Sequence, residues 1–234
     1  QWSRLRLRGN TVPEAGQMMS PALVLKPDHA ELHIPWKIPV ADGRGARERL
    51  TAENKICSTV FTGQDACAVC CILNSSGKRE SSFYIKGGRE YANASRQIYD
   101  RIKRSEQVHG GGGNAKANYR YWKKLKNFHD HYAHQFSRQI IDYCKEQNAS
   151  VLVLPEYNND YGNIVMASVG KHSPLRLVPS IREKLKYKAW QEGIVVLEVQ
   201  QHNTGSVCSR CGAKIRRKGA DFQCENGHRG SRYL

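Results

Sequence analysis

The sequence predicts an α/β fold, a mixed β-sheet flanked by helices, with a small zinc-binding module in the last part of the chain. Three observations support this prediction. Short apolar strand patterns alternate with long helical patterns from residue 56 onward, and cysteines with metal-ligand spacing follow residue 207. Hydrophobic residues make up 39% of the 234 residues, which is enough for a buried core. We divide the chain into residues 1–55, 56–201 and 202–234.

The overall charge indicates a polyanionic partner. Thirty-seven Lys and Arg residues stand against 21 Asp and Glu residues, so the formal net charge is +16. Such an excess favours nucleic acid first and an anionic membrane surface second. No apolar run approaches the roughly 20 residues of a membrane-spanning helix, so we expect no membrane partner. The chain begins with Gln1, and we expect it to be a piece of a longer protein.

The N-terminal part is predicted to form short strands followed by a connector. Residues 21–26 and 31–40 alternate apolar and polar side chains around a Pro-Asp turn, which is typical of a β-hairpin. Pro35 and Pro39 favour an edge position for the second strand because proline lacks a backbone donor. We interpret the basic residues 43–55 as a solvated helix or loop.

The middle part has the element order of a mixed sheet covered by helices. Residues 56–65, 68–73 and 82–86 are rich in β-forming side chains and are separated by short turns, which predicts a three-stranded meander. Apolar and aromatic residues then recur every three or four positions on both sides of the glycines at 110–113, which predicts two helices. The apolar run at 151–154 predicts a buried strand, and another helix and strand precede the cysteine cluster.

The cysteine cluster has zinc-ribbon spacing. It consists of Cys208, Cys211, Cys224 and His228. Two ligands separated by two residues place both side chains on one tight turn, and a second turn completes a tetrahedron around Zn²⁺. Three cysteines so close to a histidine favour a metal site over a secreted disulfide framework. His228 has a second interpretation, as a phosphate contact.

Two carboxylates stand at the ends of predicted strands. Asp65 follows the first strand of the meander, and Glu156 ends the apolar strand that begins at Val151. Carboxylate oxygens on neighbouring strands suit a shared Mg²⁺, which promotes phosphodiester hydrolysis. Each of them alone is explained equally well as a solvent-facing strand end or a helix cap.

Two basic regions are candidate nucleic-acid contacts. Between residues 96 and 126, nine Lys and Arg residues stand against two acidic residues, with four aromatic residues among them. This mixture suits a surface on which bases stack, although helical spacing explains inward-facing aromatics equally well. The predicted contacts are Arg101, Lys103, Arg104, Arg120, Lys123, Lys124 and Lys126, together with Arg210, Arg216 and Arg217 beside the zinc ligands.

A histidine-rich segment of the second long helix is a further candidate metal site. His129, Asp130 and His134 lie within about one turn and a half of each other. We interpret the histidines as exposed, because the aromatic stripe that includes Phe128 and Tyr132 fills the inner face of this helix. Cys67, Cys70, Cys71 and Cys144 are interpreted as small buried apolar residues.

The order of these features resembles the nuclease and zinc-ribbon half of TnpB, the transposon-encoded RNA-guided nuclease family from which the type V CRISPR effectors descend. The resemblance rests on Gly-Gln-Asp65 after a strand, on Val-Leu-Val-Leu-Pro-Glu156, and on the helix, glycine, strand and first zinc knuckle between Leu185 and Gly212. It covers residues 57–234. Residues 11–42 resemble the last strands of the oligonucleotide-binding wedge domain that precedes the nuclease.

This resemblance implies an RNase H-like (RuvC) domain that cuts DNA after a guide RNA pairs with it, in transposition or antiviral defence. Asp65 and Glu156 would be metal-binding carboxylates for Mg²⁺, and the zinc ribbon would help to load target DNA. The partners would be guide RNA and target DNA, and the protein would act as a monomer or homodimer in the prokaryotic cytoplasm, associated with the nucleoid. Base pairing would read the sequence while positive charge holds the backbone.

The sequence departs from the family pattern at the third carboxylate. The family places an aspartate shortly after the second zinc knuckle, whereas Arg229–Leu234 contains none. Either this residue lies beyond Leu234 or it has been replaced. The second case predicts a nuclease-dead protein that binds DNA under RNA guidance and acts as a repressor or recruiter. The second knuckle also offers one cysteine and a displaced histidine, Cys224 and His228, where the family usually has two cysteines.

Overall fold

The computed structural model describes residues 16–39, 42–51, 55–109, 118–156, 166–200, 206–219 and 221–231. The chain divides into two compact units, of which the first ends at Gly43 and the second begins at Arg44. In the ranges just given, no helix is both long enough and apolar enough to cross a membrane. The glycines at 110–113, predicted to separate two helices, lie outside the described residues.

The described residues of the first unit, 16–39 and 42–43, contain two small antiparallel strand pairs. Strand β1 (Gln17–Met18) pairs with β4 (Trp36–Lys37), and β2 (Ala22–Leu25) pairs with β3 (Ala30–His33). The predicted hairpin is therefore confirmed, but its second strand ends at His33. Pro35 cannot donate to a ladder, and the chain resumes pairing only at Trp36, with a different partner.

The second unit is built on a five-stranded mixed sheet. Its strands are β5 (Lys55–Phe61), β6 (Ala66–Leu73), β7 (Arg79–Lys86), β8 (Ala149–Glu156) and β9 (Val195–Gln200). They lie in the order β7-β6-β5-β8-β9. The first three form the predicted antiparallel meander, whereas β8 is parallel to β5 and β9 is parallel to β8. The predicted mixed α/β fold is confirmed.

Helices pack against this sheet and share one hydrophobic core with it. They are α1 (Ala46–Thr51), α2 (Gly88–His109), α3 (Tyr119–Glu146), α4 (Met166–Ser168) and α5 (Val178–Gln191), with a 3₁₀ turn at Pro174–Leu177 before α5. The apolar stripe of α3 packs against α5 and the sheet, and its buried side chains include Phe136, Ile140 and Ile141. The two long helices predicted from the 3.6-residue period are therefore confirmed.

The sequence predicts that the basic connector, residues 43–55, is solvated. In the structure, part of it packs against the sheet. Helix α1 contacts β8, and the guanidinium group of Arg49 is buried. Arg49 donates from Nε to the carbonyl of Arg44 at 2.9 Å and from Nη1 to the carbonyls of Ser150 (3.1 Å) and Gly193. The sequence predicts a boundary after residue 55, whereas α1 belongs to the same compact unit as the sheet, which begins at Arg44.

A three-stranded antiparallel ribbon follows the sheet. It comprises β10 (Ile215–Lys218), β11 (Asp221–Cys224) and β12 (Arg229–Ser231), in that order. The register aligns Arg216 with Gln223 and Gln223 with Arg229, so these three side chains form one row across the ribbon. Such a small sheet has little core of its own, and the predicted zinc cluster lies at one end of it.

Candidate metal centre and nucleic-acid interface

Asp65 and Glu156 lie at the same edge of the five-stranded sheet. Asp65 lies in the turn between β5 and β6, and Glu156 is the last residue of β8. Strands β5 and β8 are parallel, so their carboxyl ends meet at one edge. The observed register pairs Ser58 with Val153, and its continuation by three residues brings Phe61, the end of β5, level with Glu156. The two predicted carboxylates are therefore on adjacent strand ends.

The turn that carries Asp65 is held against the start of α2. The N–H group of Gly88 donates to the carbonyl of Asp65 at 2.9 Å. A Cβ atom at Gly88 would lie 2.0 Å from the carbonyl oxygen of Gln64, so only glycine allows α2 to begin this close to the turn. The Thr62 hydroxyl donates to the carbonyl of Ala66 and closes the same turn from within. These contacts fix the backbone on both sides of the carboxylate.

Asp65 lines a cleft of about 570 Å³ whose other polar walls are mostly cationic. Arg89, Arg96, Lys171 and His172 also line it. The Arg89 Nε atom lies 3.9 Å from Asp65 Oδ1, and the Asp65 side chain remains 43% exposed. Among the described residues, Glu156 is not part of the lining of this cleft. These four side chains are not evident as site residues from the sequence, because they come from two distant segments that only the fold brings together.

His172 has a defined orientation in this cleft. Its Nδ1 atom lies 3.2 Å from the hydroxyl of Ser95, which is fully buried on α2, and its ring makes a T-shaped contact with Tyr99. The pKa of His172 is lowered first by burial and then by the positive charges of Lys171 and Arg96. The two cations Lys171 and Arg96 therefore disfavour the protonated form of His172.

The predicted zinc ligands come together at the end of the ribbon. One ligand atom from each residue, the three Sγ atoms and a ring nitrogen of His228, lies within 4.8 Å of every other. Cys211 Sγ lies 3.8 Å from Cys224 Sγ, and Cys208 Sγ lies 3.7 Å from His228 Nδ1. These separations match a tetrahedron with bonds of about 2.3 Å to sulfur and 2.0 Å to nitrogen. The group fits a structural Zn²⁺ in donor type, number and spacing.

Backbone geometry supports both zinc knuckles. Gly212 and Gly227 have φ angles of 68° and 81°, a left-handed conformation that the turn after Cys211 and the turn before His228 require. The N–H group of His228 donates to Cys224 Sγ at 3.2 Å. Backbone N–H donors, with that of Arg210 first, lower the pKa of Cys208 to about 6. The chain therefore favours the thiolate, which is the form that binds metal.

The predicted nucleic-acid contacts are all exposed, and they fall into two surfaces of the second unit. Three lie on the ribbon: Arg210, Arg216 and Arg217. The other seven lie on the two long helices, Arg101, Lys103 and Arg104 on α2, and Arg120, Lys123, Lys124 and Lys126 on α3. Arg120, Lys123 and Lys124 line a shared groove of about 510 Å³ with Phe128.

The aromatic residues among these cations do not all face the core. Tyr119, Tyr121 and Trp122 are 60%, 37% and 46% exposed, so the inward-facing alternative is wrong for these three. Tyr99 is half-buried and packs against Ile98 and Ile102 of α2 together with Phe128. The Lys123 ammonium lies 5.9 Å from the centroid of the Tyr119 ring. Exposed rings beside cations are available to nucleotide bases.

The histidine-rich segment of α3 forms no metal cluster in the part of the chain that the structure describes. Asp130 pairs instead with Lys184 at 2.6 Å, and His134 Nε2 lies 3.6 Å from the same carboxylate. His134 is exposed as predicted, whereas His129 is half-buried against Tyr91 and Phe128. The prediction of exposed histidines is therefore wrong for His129. Cys67, Cys70, Cys71 and Cys144 are buried, as predicted, and Cys57 is buried as well.

Comparison with known proteins agrees with this description. Residues 180–234 match the family model of the Cas12f1-like TNB domain. A cryo-EM structure of a Cas12f1–sgRNA–target DNA complex matches with a TM-score of 0.61 and 16% identity, over 86% of this chain and 40% of that one. A CRISPR–Cas12f ternary complex matches with a TM-score of 0.55 and 15% identity, over 91% and 43%.

These matches confirm the resemblance to the TnpB and type V CRISPR effectors and the mixed α/β fold. At 15–16% identity the structural likeness concerns the fold. The chain spans about two fifths of the length of the two structures that it matches. A search of curated proteins found no match.

Proposed function

We propose that this chain is the nuclease and zinc-ribbon part of an RNA-guided DNA endonuclease of the TnpB and type V kind. The observation that carries the proposal is the position of Asp65 and Glu156 at the adjacent ends of parallel strands, in a sheet that shares its fold with Cas12f1 complexes. The matched complex contains sgRNA and target DNA. We accordingly propose guide RNA and target DNA as partners of the whole protein.

In this proposal Asp65 and Glu156 hold Mg²⁺ at the edge of the sheet. Their carboxylate oxygens are the donors that Mg²⁺ prefers, and the Asp65 side chain is open to the cleft. Bound there, Mg²⁺ supplies an activated water and charge stabilisation for phosphodiester hydrolysis. The bond from Gly88 to Asp65 holds the turn in place, so that the carboxylate does not have to be ordered when the substrate arrives.

The ribbon has a separate role in the proposal. Zn²⁺ held by its three cysteines and His228 would stabilise a sheet that is too small to fold on apolar burial alone. The stabilised ribbon presents Arg210, Arg216 and Arg217 to the DNA backbone, and they would contribute affinity without reading sequence.

A nuclease-dead RNA-guided binding protein is the second candidate. The observation that favours it is that Arg89 Nε lies 3.9 Å from Asp65 Oδ1, so a cation stands beside one of the two carboxylates that are proposed to hold Mg²⁺. The cationic surfaces and the zinc ribbon serve this function equally well.

Plasmid cleavage distinguishes the two candidates. The full protein would be incubated with guide RNA and a matching plasmid, in Mg²⁺ or in EDTA, and compared with Asp65→Ala, Glu156→Ala and the exposed control Glu183→Gln. We expect cutting by the wild type and the control, its loss in both alanine variants and in EDTA, and unchanged binding to the target. Binding without cutting by the wild type would establish the nuclease-dead alternative. Equal cutting by both alanine variants would show that other residues hold the metal.

A further inference from the structure

Cys211 is the one thiol of the chain that is open to solvent. The sequence has eight cysteines, all within the described residues, and seven of them are buried whereas Cys211 is exposed. Two cations that flank it, Arg210 and Lys214, are also exposed. Reactive cysteines are accessible and lie in electropositive surroundings, whereas buried structural cysteines are inert. An oxidant in solution therefore meets Cys211 before any other sulfur of the protein.

A second thiol lies next to Cys211 across the ribbon. Cys224 Sγ is 3.8 Å from Cys211 Sγ, so a movement of less than about 2 Å brings the two sulfurs to bonding distance. Cys224 is 4% exposed and accepts a hydrogen bond from the N–H group of His228 at 3.2 Å. The third sulfur, that of Cys208, is 2% exposed and lies 3.7 Å from His228 Nδ1. The geometry therefore favours Cys224 as the partner of Cys211.

A bond between these two sulfurs would cross-link the two zinc knuckles. Strands β10 and β11 both lie in the segment from Cys211 to Cys224, and Ile215 at the start of β10 pairs with Cys224 at the end of β11. The cross-link would close a loop that contains this hairpin and would restrict its unfolding. Strand β12 lies outside the loop, directly after His228.

We propose that Cys211 is a site of reversible oxidation by hydrogen peroxide, with Cys224 as the resolving thiol. The Cys211 thiolate attacks one peroxide oxygen, so the O–O bond breaks, a sulfenic acid forms and hydroxide leaves. The Cys224 thiolate then attacks the Cys211 sulfur and displaces a second hydroxide, which leaves a disulfide. In sum, two thiolates and one hydrogen peroxide give one disulfide and two hydroxide ions, and the two electrons lost by the sulfurs reduce the peroxide.

Oxidation would remove half of the zinc ligands. Cys208 and His228 alone offer two of the four donors that a structural Zn²⁺ site needs, so the oxidised ribbon would not retain the metal. The cross-link keeps the two knuckles adjacent, and reduction of the disulfide by a dithiol would restore the ligand set. Loss of β12 would also remove Arg229 from the row that it forms with Arg216 and Gln223. Only this last effect, on DNA affinity, rests on the proposed function.

The test follows zinc and disulfide formation in the full chain. Zinc-loaded wild type would be treated with hydrogen peroxide, and released zinc would be measured by the absorbance of its complex with 4-(2-pyridylazo)resorcinol. Alkylation, proteolysis without reductant and mass spectrometry would locate the bond. We expect zinc release in step with one Cys211–Cys224 linked peptide, no oxidation of the five core cysteines while the protein stays folded, and recovery after dithiothreitol and added zinc.

Two matched variants test the role of Cys224. Cys224→His removes the resolving thiol and Cys208→His removes the other sulfur, and each keeps four ligands because histidine also binds zinc. Elemental analysis and thermal unfolding would establish that both are loaded and folded. We expect Cys208→His to release zinc within about threefold of the wild-type rate, and Cys224→His to release it at least about tenfold more slowly, because no adjacent thiol resolves the sulfenic acid. Equal slowing in the two variants would overturn the pairing.

Peptide mapping of the wild type decides the question even if neither histidine variant binds zinc. A Cys208–Cys211 bond, zinc release without a disulfide, or a sulfonic acid at Cys211 that dithiothreitol does not reverse would each overturn this inference. Mapping of metal-free protein separates it from the zinc assignment, since a Cys211–Cys224 bond formed there would support the pairing even if no zinc were ever bound. Plasmid cutting is not measured, so failure of the nuclease function leaves the result intact.

Discussion

The Sγ atoms of Cys211 and Cys224 lie 3.8 Å apart, although the two residues are 13 positions apart in the chain. Two thiols at this distance without a disulfide bond are at the spacing that two ligands of one tetrahedral Zn²⁺ adopt. This relationship brings the first knuckle and the second knuckle of the ribbon together, and we expect the folding of the ribbon to depend on it.

We therefore expect about one zinc per chain by elemental analysis of protein purified without chelator. Replacing Cys211 by Ser should remove the metal and unfold the ribbon, because structural zinc contributes its binding energy to folding. Ser209→Ala, an exposed change inside the same knuckle, is the control and should keep full zinc occupancy. A zinc content that is unchanged in Cys211→Ser would show that the four residues are not the ligands.

The buried guanidinium of Arg49 leads to a stability prediction. Arg49→Met should lower the free energy of unfolding by about 2–4 kcal/mol, because the carbonyls of Ser150 and Gly193 lose a charged donor that water cannot easily replace. Arg47→Met, on the exposed side of the same short helix, should cost less than about 1 kcal/mol. Urea unfolding measures both. Similar losses in the two variants would mean that the contacts of Arg49 carry no special stability.

Acid should destabilise the protein below about pH 6.5, partly through His129. Burial lowers the pKa of His129 from 6.5, and its Nε2 atom is buried without a hydrogen-bond partner. Between the lowered pKa and 6.5 the unfolded chain binds the proton and the folded chain does not, so stability falls as pH falls. One such histidine contributes at most about 1.4 kcal/mol per pH unit.

His129→Phe should therefore make the loss of stability between pH 6.5 and pH 5 shallower than in wild type, when urea unfolding is measured at each pH. The phenyl ring keeps the contacts with Tyr91 and Phe128 and removes the unpartnered nitrogen. His131→Phe changes an exposed neighbour and serves as the control. Comparing variants at each pH cancels the contribution of the zinc ligands, which both proteins share. An identical pH profile for wild type and His129→Phe would contradict this assignment.

The ribbon cations should act through the phosphate backbone. Arg216→Ala and Arg217→Ala should each reduce the slope of log affinity for single-stranded DNA against log salt by about 0.7, with similar losses on unrelated sequences. Arg138→Ala, which removes a cation already paired with Asp142 and Glu192, should leave the slope unchanged. A loss of affinity that is confined to one DNA sequence would instead indicate base contacts.

Local patterns were enough to predict most of this architecture. The meander follows from short turns between β-forming runs, and the approach of the four candidate zinc ligands follows from their spacing. The shared edge of Asp65 and Glu156 also followed, since Asp65 lies in the turn after β5 and Glu156 ends β8. Their metal binding stays a prediction.

The features that were missed depend on distant parts of the chain. Arg49 lies in a segment that the sequence predicts to be solvated, because nothing in the local sequence shows that the carbonyls of Ser150 and Gly193 accept hydrogen bonds from its side chain. The cleft cations were missed for the same reason, since Arg89 and Lys171 meet only when α2 lies beside the loop before α5. Arg89, Arg96 and Lys103 are spaced by seven residues in the sequence. The sequence does not show that α2 begins at Gly88, beside the turn that carries Asp65.

The sheet order also determines when the candidate active site can form during folding. Strands β5, β6 and β7 pair with their neighbours in sequence, so the meander closes through short loops. Strand β8 follows both long helices in the sequence, so its pairing with β5 joins residues that are far apart in the chain. We therefore expect the turn that carries Asp65 to form before Glu156 is brought beside it. A chain interrupted between these two steps would have its meander but not the paired carboxylates on which the proposed function depends.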